Sequence, residues 1–144
     1  MSDQVDLGKF QFKYPIHMRW NYMDSLGHVN NALYVTYFEG ARGPFILAAC
    51  EGWDWTKDMF LIAKIEVNLR KELTLQTQQP EVWMRTKEIG NKSVVLEYVV
   101  VSQRSGKQII HASGTTTQVM FDMKTRTTIP IEDRIKAGLT EHLS

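Results

Sequence analysis

From Ala32 to Ala49 the chain carries a mostly apolar run, and from Ala32 to Phe38 only Thr36 breaks the apolar surface. A helix with no wet face must be covered by other elements, so this segment is expected to be the central helix of the fold. Glu39, Gly40, Arg42, Gly43 and Pro44 interrupt the run. Those interruptions predict a buried helix rather than a membrane span. Pro44 lacks an N–H and clashes with the carbonyl four residues back, at Gly40, so the regular part is expected to kink or end there. Glu51-Gly52-Trp53-Asp54-Trp55 reads as the exit loop.

Around this helix the pattern is that of strands. Phe10, Phe12, Tyr14, Ile16, Met18 and Trp20 alternate with Gln11, Lys13, Pro15, His17 and Arg19, and Pro15 points to an edge or a bulge. A loop from Asn21 to Val29 follows, and Asn30 or Asn31 is expected to cap the helix. Ile65, Val67 and Leu69 alternate with charged and polar neighbours. Glu81 to Ile89 follows Pro80 and ends at the hairpin signal Gly90-Asn91. Ser93 to Ser102 comes next, then a turn at Arg104 to Lys107, and a long strand over about Gln108 to Asp122. Lys124 to Thr128 reads as loop. After Pro130, the spacing of Ile131, Ile135, Leu139 and Leu143 predicts a short tail helix. One strand, one long helix and four strands joined by short turns make an α+β domain over residues 1–144, an antiparallel sheet of about five strands on one helix.

The strand Ser93–Ser102 predicts a partner. Val94, Leu96, Tyr98 and Val100 occupy one face and Val95, Val99 and Val101 the other. A single helix covers only one of these faces, so a second subunit is expected on the other, with the strand Gln108–Asp122 available for edge pairing.

Composition narrows the function classes. The net charge is +1, which supplies no field for nucleic acid and no acidic tail for a basic partner. One cysteine, Cys50, forms no internal disulfide and reads as a small buried hydrophobe, consistent with a reducing compartment. The first residues carry no positive stretch followed by an apolar one, so no leader is expected and the location is read as cytoplasmic, with no membrane partner. His17, His28, His111 and His142 are scattered, so no metal site is expected. No glycine-rich phosphate loop is present.

Chemistry concentrates before the helix, in Asp24-Ser25-Leu26-Gly27-His28-Val29-Asn30-Asn31. A carboxylate in a tight loop faces the start of a buried helix, whose first N–H groups have no partner within the helix. Such groups can hold a developing oxyanion while the acid attacks or activates water. The spacing of Arg19, Asp24, Gly27-His28-Val29-Asn30-Asn31, Tyr34, Glu39 and Arg42 resembles the signature of hotdog-fold acyl-CoA thioesterases, in particular the 4-hydroxybenzoyl-CoA thioesterase-like family. The resemblance implies a hotdog fold, a sheet bent round the central helix, and hydrolysis of an acyl thioester of coenzyme A or acyl carrier protein without a separate cofactor. It implies that Asp24 is the nucleophile or general base, and that His28 hydrogen-bonds the thioester carbonyl or orients the acid. Backbone N–H groups around Val29, Asn30 and Asn31 would form the oxyanion hole. Tyr34 would pack against the acyl chain or the core. Asn91 and Ser93, from a neighbouring subunit, would line the pantetheine tunnel in a homodimer or homotetramer. Lys64, Arg70, Lys71, Lys87 and Lys92 are cations that the nucleotide phosphates of coenzyme A could meet, or simply a solvated strand face.

Glu39 lies eight residues beyond Asn31, about 12 Å along a helix axis, and Arg42 one turn later is expected to pair with it. Two rival functions stand beside hydrolysis. A hotdog dehydratase would work with His28 and Glu39, and a silent acyl-CoA-binding module would need neither. Asp24 disfavours the latter, because a carboxylate near an apolar chain costs free energy that a pure binding pocket does not need.

Overall fold

The computed structural model describes residues 5–19 and 23–143. The elements run β1 (Phe12–Pro15), α1 (Leu33–Ala49), β2 (Phe60–Leu69), β3 (Glu81–Ile89), β4 (Ser93–Arg104), β5 (Lys107–Asp122), β6 (Thr127–Thr128) and α2 (Asp133–Thr140). The order in the sheet is β1-β3-β4-β5-β2, every pairing antiparallel, with the two-residue β6 added to β5.

The expected first strand is much shorter than its alternation. Only Phe12–Pro15 pairs with β3, and Leu7–Lys9 form a turn of 3-10 helix. Proline has no N–H to give a ladder, and Pro15 accordingly sits on an edge strand. Trp20, Asn21 and residues 1–4, which entered the strand, loop and leader expectations, lie outside the described residues.

α1 runs through Pro44 to Ala49 without ending there. Its buried side chains (Tyr34, Tyr37, Phe38, Ala41, Phe45, Ile46, Ala49) follow the helical repeat of one stripe, whereas Thr36, Gly40 and Leu47 are exposed. The helix is therefore covered on one side, not all round. That side packs on the inward residues of the sheet, which include Val82, Met84, Leu96, Tyr98, Val100 and Ala112. Phe38 stacks on Tyr98 with ring centroids 4.5 Å apart and planes 14° apart. The tail helix closes the core through Ile131, Ile135 and Leu139.

The outward face of β4 is not covered as expected, by a second subunit. Val99 and Val101 are covered within the chain, in a small cluster with Phe10 and Trp83 against which Val5, Leu7 and Ile110 also pack; only Val95 stays half-buried. The N-terminal segment thus takes the place assigned to a partner. β5 is not available for edge pairing either, because β4 and β2 occupy its two sides. The edges are β1 and β2, and on β2 Leu61, Ile62, Ile65 and Leu69 are each 41–50% exposed.

Helix and sheet come close at Gly114. A Cβ there would run into the Glu66 carbonyl oxygen and stand 2.7 Å from Phe38 Cε2. Gly114→Ala should lower the unfolding free energy by about 1–3 kcal/mol, the usual cost of overpacking a filled core. Denaturant unfolding of the two proteins side by side is the measurement.

Candidate active site

Asp24 is built into a turn that its own carboxylate closes. Its N–H donates to the His28 carbonyl oxygen at 2.7 Å, and its Oδ1 accepts from the N–H groups of Leu26 at 2.9 Å and His28 at 3.1 Å. Gly27 supplies the φ of +78° that the turn requires, where a side chain would be strained. Among the described residues nothing donates to Asp24 Oδ2. One oxygen shapes the loop, and the other takes no part in it.

The loop is moored to the segment after β2. The N–H of Val29 donates to the Leu73 carbonyl at 2.8 Å, and His28 bridges Thr74. This corrects the expectation for Val29, whose amide is already used and which is 2% exposed. The cap also differs in detail. The residue before the first helical turn is Ala32, with no side-chain bond of its own. Asn30 caps from two residues upstream, its Oδ1 accepting from the Ala32 N–H at 3.0 Å, and Asn31 makes no such cap. The backbone N–H groups of Asn30 and Asn31 find no acceptor among the described residues.

Tyr34, one turn in, is 2% exposed, and its hydroxyl accepts from the Leu73 N–H at 3.3 Å. Burial raises its pKa, the Leu73 bond offsets part of that, and Glu72 adds to the rise. The phenol stays neutral and braces the floor of the site.

These residues meet in one cleft of about 300 Å³, where Asp24, His28, Val29, Asn31 and Tyr34 face Leu69 and the segment Arg70 to Glu72. Glu72 Oε1 lies 3.8 Å from His28 Nε2, a partly exposed pair that orients the ring more than it stabilises the fold. Glu72, Leu73 and Thr74 were not legible as site residues, since they lie in a stretch without periodicity. The same holds for the residue that fixes them, His111. Its carbonyl accepts from the N–H groups of Arg70 at 2.9 Å and Lys71 at 3.0 Å. Its ring bridges the Lys71 carbonyl, 3.0 Å from Nδ1, and the Ser102 hydroxyl, 2.7 Å from Nε2. Burial lowers the His111 pKa, so the neutral ring donates at Nδ1 and accepts at Nε2.

Other expected residues lie elsewhere. Asn91 and Ser93 are in the β3–β4 turn, where the Gly90 N–H donates to the Ser93 carbonyl at 2.7 Å and the Ile131 N–H to the Asn91 carbonyl at 2.9 Å. Ser93 pairs with Val119, whereas Leu69, at the cleft, pairs with Ala112 and so lies level with Val100. Seven residues of strand separate the two levels, roughly 23 Å. Glu39 does not pair with Arg42. The Arg42 guanidinium donates to the Tyr98 hydroxyl at 3.3 Å, which in turn shares a 2.6 Å hydrogen bond with Thr116. Glu39 lines a separate cleft, so within one chain His28 and Glu39 are not brought together. Of the five cations, Arg70 and Lys71 line the site, while Lys64 is held by Glu66 at 2.9 Å. Cys50 is buried, and burial pushes its thiol up to about 11.

Comparison with known proteins places this geometry. The family model of the thioesterase-like superfamily matches residues 18–139. The chain is 25% identical over 129 residues to the long-chain acyl-CoA thioesterase FadM of Escherichia coli K12, covering 88% of this chain and 95% of that one. It superposes on the PA5185 protein of Pseudomonas aeruginosa PAO1 with a TM-score of 0.82 at 22% identity, covering 95% and 94% of the two chains. A thioesterase of Thermus thermophilus, crystallised with coenzyme A and zinc, matches with a TM-score of 0.79 at 24% identity, covering 94% and 96%. The matched span takes in the Asp24 loop, α1 and the whole of β2 to β5, and the chain belongs to the thioesterase-like superfamily.

Proposed function

We propose that the chain is a hotdog-fold acyl-CoA thioesterase that hydrolyses the thioester to a free carboxylic acid and coenzyme A. The observation that carries this is the Asp24 carboxylate, with Oδ2 unengaged among the described residues, in a cleft lined also by Asn31, whose N–H, like that of Asn30, has no acceptor among them. As a base, Asp24 takes a proton from the water that adds to the thioester carbonyl. As a nucleophile, it forms a mixed anhydride that water then opens. In both routes the carbon–sulfur bond breaks and the thiolate leaves with a proton. The oxyanion formed on addition is held by the N–H groups of Asn30 and Asn31, at the positive end of the α1 dipole. His28, oriented by Glu72, hydrogen-bonds the carbonyl. The coenzyme A headgroup meets Arg70 and Lys71. The FadM relative and the coenzyme A-bound neighbour favour coenzyme A over acyl carrier protein as the thiol carrier. The separation of His28 from Glu39 favours hydrolysis over dehydration.

Asp24→Asn preserves an acceptor for the Leu26 and His28 N–H groups and should leave folding and acyl-CoA affinity in place. Turnover on a panel of acyl-CoA thioesters, followed with a thiol-trapping dye, should fall about 100-fold or more. Undiminished hydrolysis by the purified variant would remove Asp24 from the chemistry.

A homodimer completes the site in this reading. The free edge of β2 carries four exposed apolar side chains and can pair with the same edge of a second copy. A two-fold axis makes that pairing antiparallel, setting the Leu69 end of one β2 against the Phe60 end of the other. Phe60 lies at the same end of the sheet as Ser93, because β5 pairs Met120 with Phe60 and Val119 with Ser93. The turn carrying Asn91 and Ser93 on one copy thus approaches the Asp24 cleft of the other. Light scattering should return at least twice the 16.7 kDa chain mass. Mixing Asp24→Asn chains with Ser93→Trp chains should restore activity, since one hybrid site then carries neither lesion. Hybrid dimers confirmed by mass spectrometry but lacking activity would confine the site to one chain.

A further inference from the structure

A second cleft, of about 270 Å³, opens between α1 and the inward face of β2, with Glu39, Arg42, Trp53, Phe60, Ile62 and Gln118 among its walls. Two of these side chains are polar and lack partners. Gln118 is 1% exposed and Trp53 8%, and neither Gln118 Oε1 nor the Trp53 indole N–H makes a hydrogen bond. More than nine in ten buried polar groups are satisfied, so two orphans lining one cleft mark a missing partner. One orphan accepts and the other donates. Their joint complement is a neutral group that does both, and a hydroxyl is the simplest. A carboxylate only accepts and leaves the Gln118 oxygen unpaired. An ammonium only donates. The apolar wall is rigid, with Trp53 stacked on Phe60 at 5.3 Å and edge-on to Trp55 at 5.4 Å.

Strand β2 runs between this cleft and the Asp24 site. Ile62, Ile65, Val67 and Leu69 pair with Gln118, Thr116, Gly114 and Ala112, so they share the inward face, with a bulge between Ile62 and Lys64. Leu69 lines the Asp24 cleft and Ile62 the second one. Ile62, Ile65 and Leu69 are 41%, 44% and 50% exposed, an apolar row open to a guest. Six register steps of β5 separate its ends, roughly 20 Å at the strand rise. An extended chain advances about 3.5 Å for every three bonds, so roughly 17 bonds span that distance. Resting on the thioesterase reading above, we propose that the acyl group lies along β2 and that the Gln118–Trp53 cleft recognises a hydroxyl at its far end, making long-chain terminally hydroxylated acyl thioesters the favoured substrates.

The test compares hexadecanoyl-CoA with 16-hydroxyhexadecanoyl-CoA, together with binding of the two free acids by tryptophan fluorescence or calorimetry. The hydroxylated thioester should be hydrolysed with a kcat/KM about tenfold or more higher, because a site with buried polar groups discriminates against a substrate that leaves them unpaired. Gln118→Leu should bring the ratio to one or below. Trp53→Phe, which keeps the stack on Phe60 and loses the N–H, should lower it and serves if the first variant fails to fold. Equal kcat/KM for both thioesters with equal binding of both acids overturns the inference. So does a Gln118→Leu protein that changes its oligomeric mass while keeping its preference. If neither thioester is hydrolysed but the hydroxy acid binds more tightly, and loses that advantage in Gln118→Leu, the thioesterase reading fails while the hydroxyl site stands.

Discussion

The close packing of α1 on the sheet at Gly114 is the contact on which the remaining geometry depends. With no Cβ there, Phe38 can lie against the β5 backbone and stack on Tyr98, and the buried stripe of α1 follows from that seat. Tyr34 sits one turn before Phe38, so its hydroxyl reaches the Leu73 N–H only while the helix holds this position. Leu73 in turn accepts from Val29. The Asp24 loop is therefore located by the core through two hydrogen bonds made on one residue. A shift of α1 would move the acid as well as the helix start.

Charge in the site is arranged by backbone rather than by ion pairs. Oδ1 of Asp24 receives two backbone N–H groups, which fix the carboxylate in its loop. The cations Arg70 and Lys71 stand on the opposite wall, held there by the His111 carbonyl and, for Arg70, by the Ser113 hydroxyl. Acid and cations thus line the same cleft, each held by backbone contacts from a different segment.

Much of the fold was legible because its signals are local. Val82 and Met84 against Trp83, or Leu96 and Tyr98 against Val99, alternate with the period of a strand, and both faces proved to be buried. The turn at Gly90 and the stripe of the tail helix were equally plain, each being written in a few consecutive side chains. The Asp24 loop was legible for a related reason. Its acid, its glycine and its capping asparagine act on one another within eight residues, and Asn30 does cap the turn that leads into α1.

What only the tertiary structure decided are contacts between segments far apart in the chain, whose stabilisation comes from burial and from satisfied backbone rather than from propensity. Sequence alone predicted two covered faces for β4 but not that Phe10 and Trp83 would cover the outer one. It predicted a strand edge for pairing but put it on β5, which lies inside the sheet, instead of β2. The helical spacing of Glu39 and Arg42 suggested an ion pair, yet the buried Tyr98 hydroxyl draws the guanidinium inward, where a charged donor is worth more than at the surface. Likewise the unperiodic Glu72–Thr74 became the far wall of the site, and Gln118 and Trp53, 65 positions apart in number, came to line one cleft. Short-range pattern determined which elements form and how the Asp24 loop is built. Packing of α1 on the sheet decided what that loop faces.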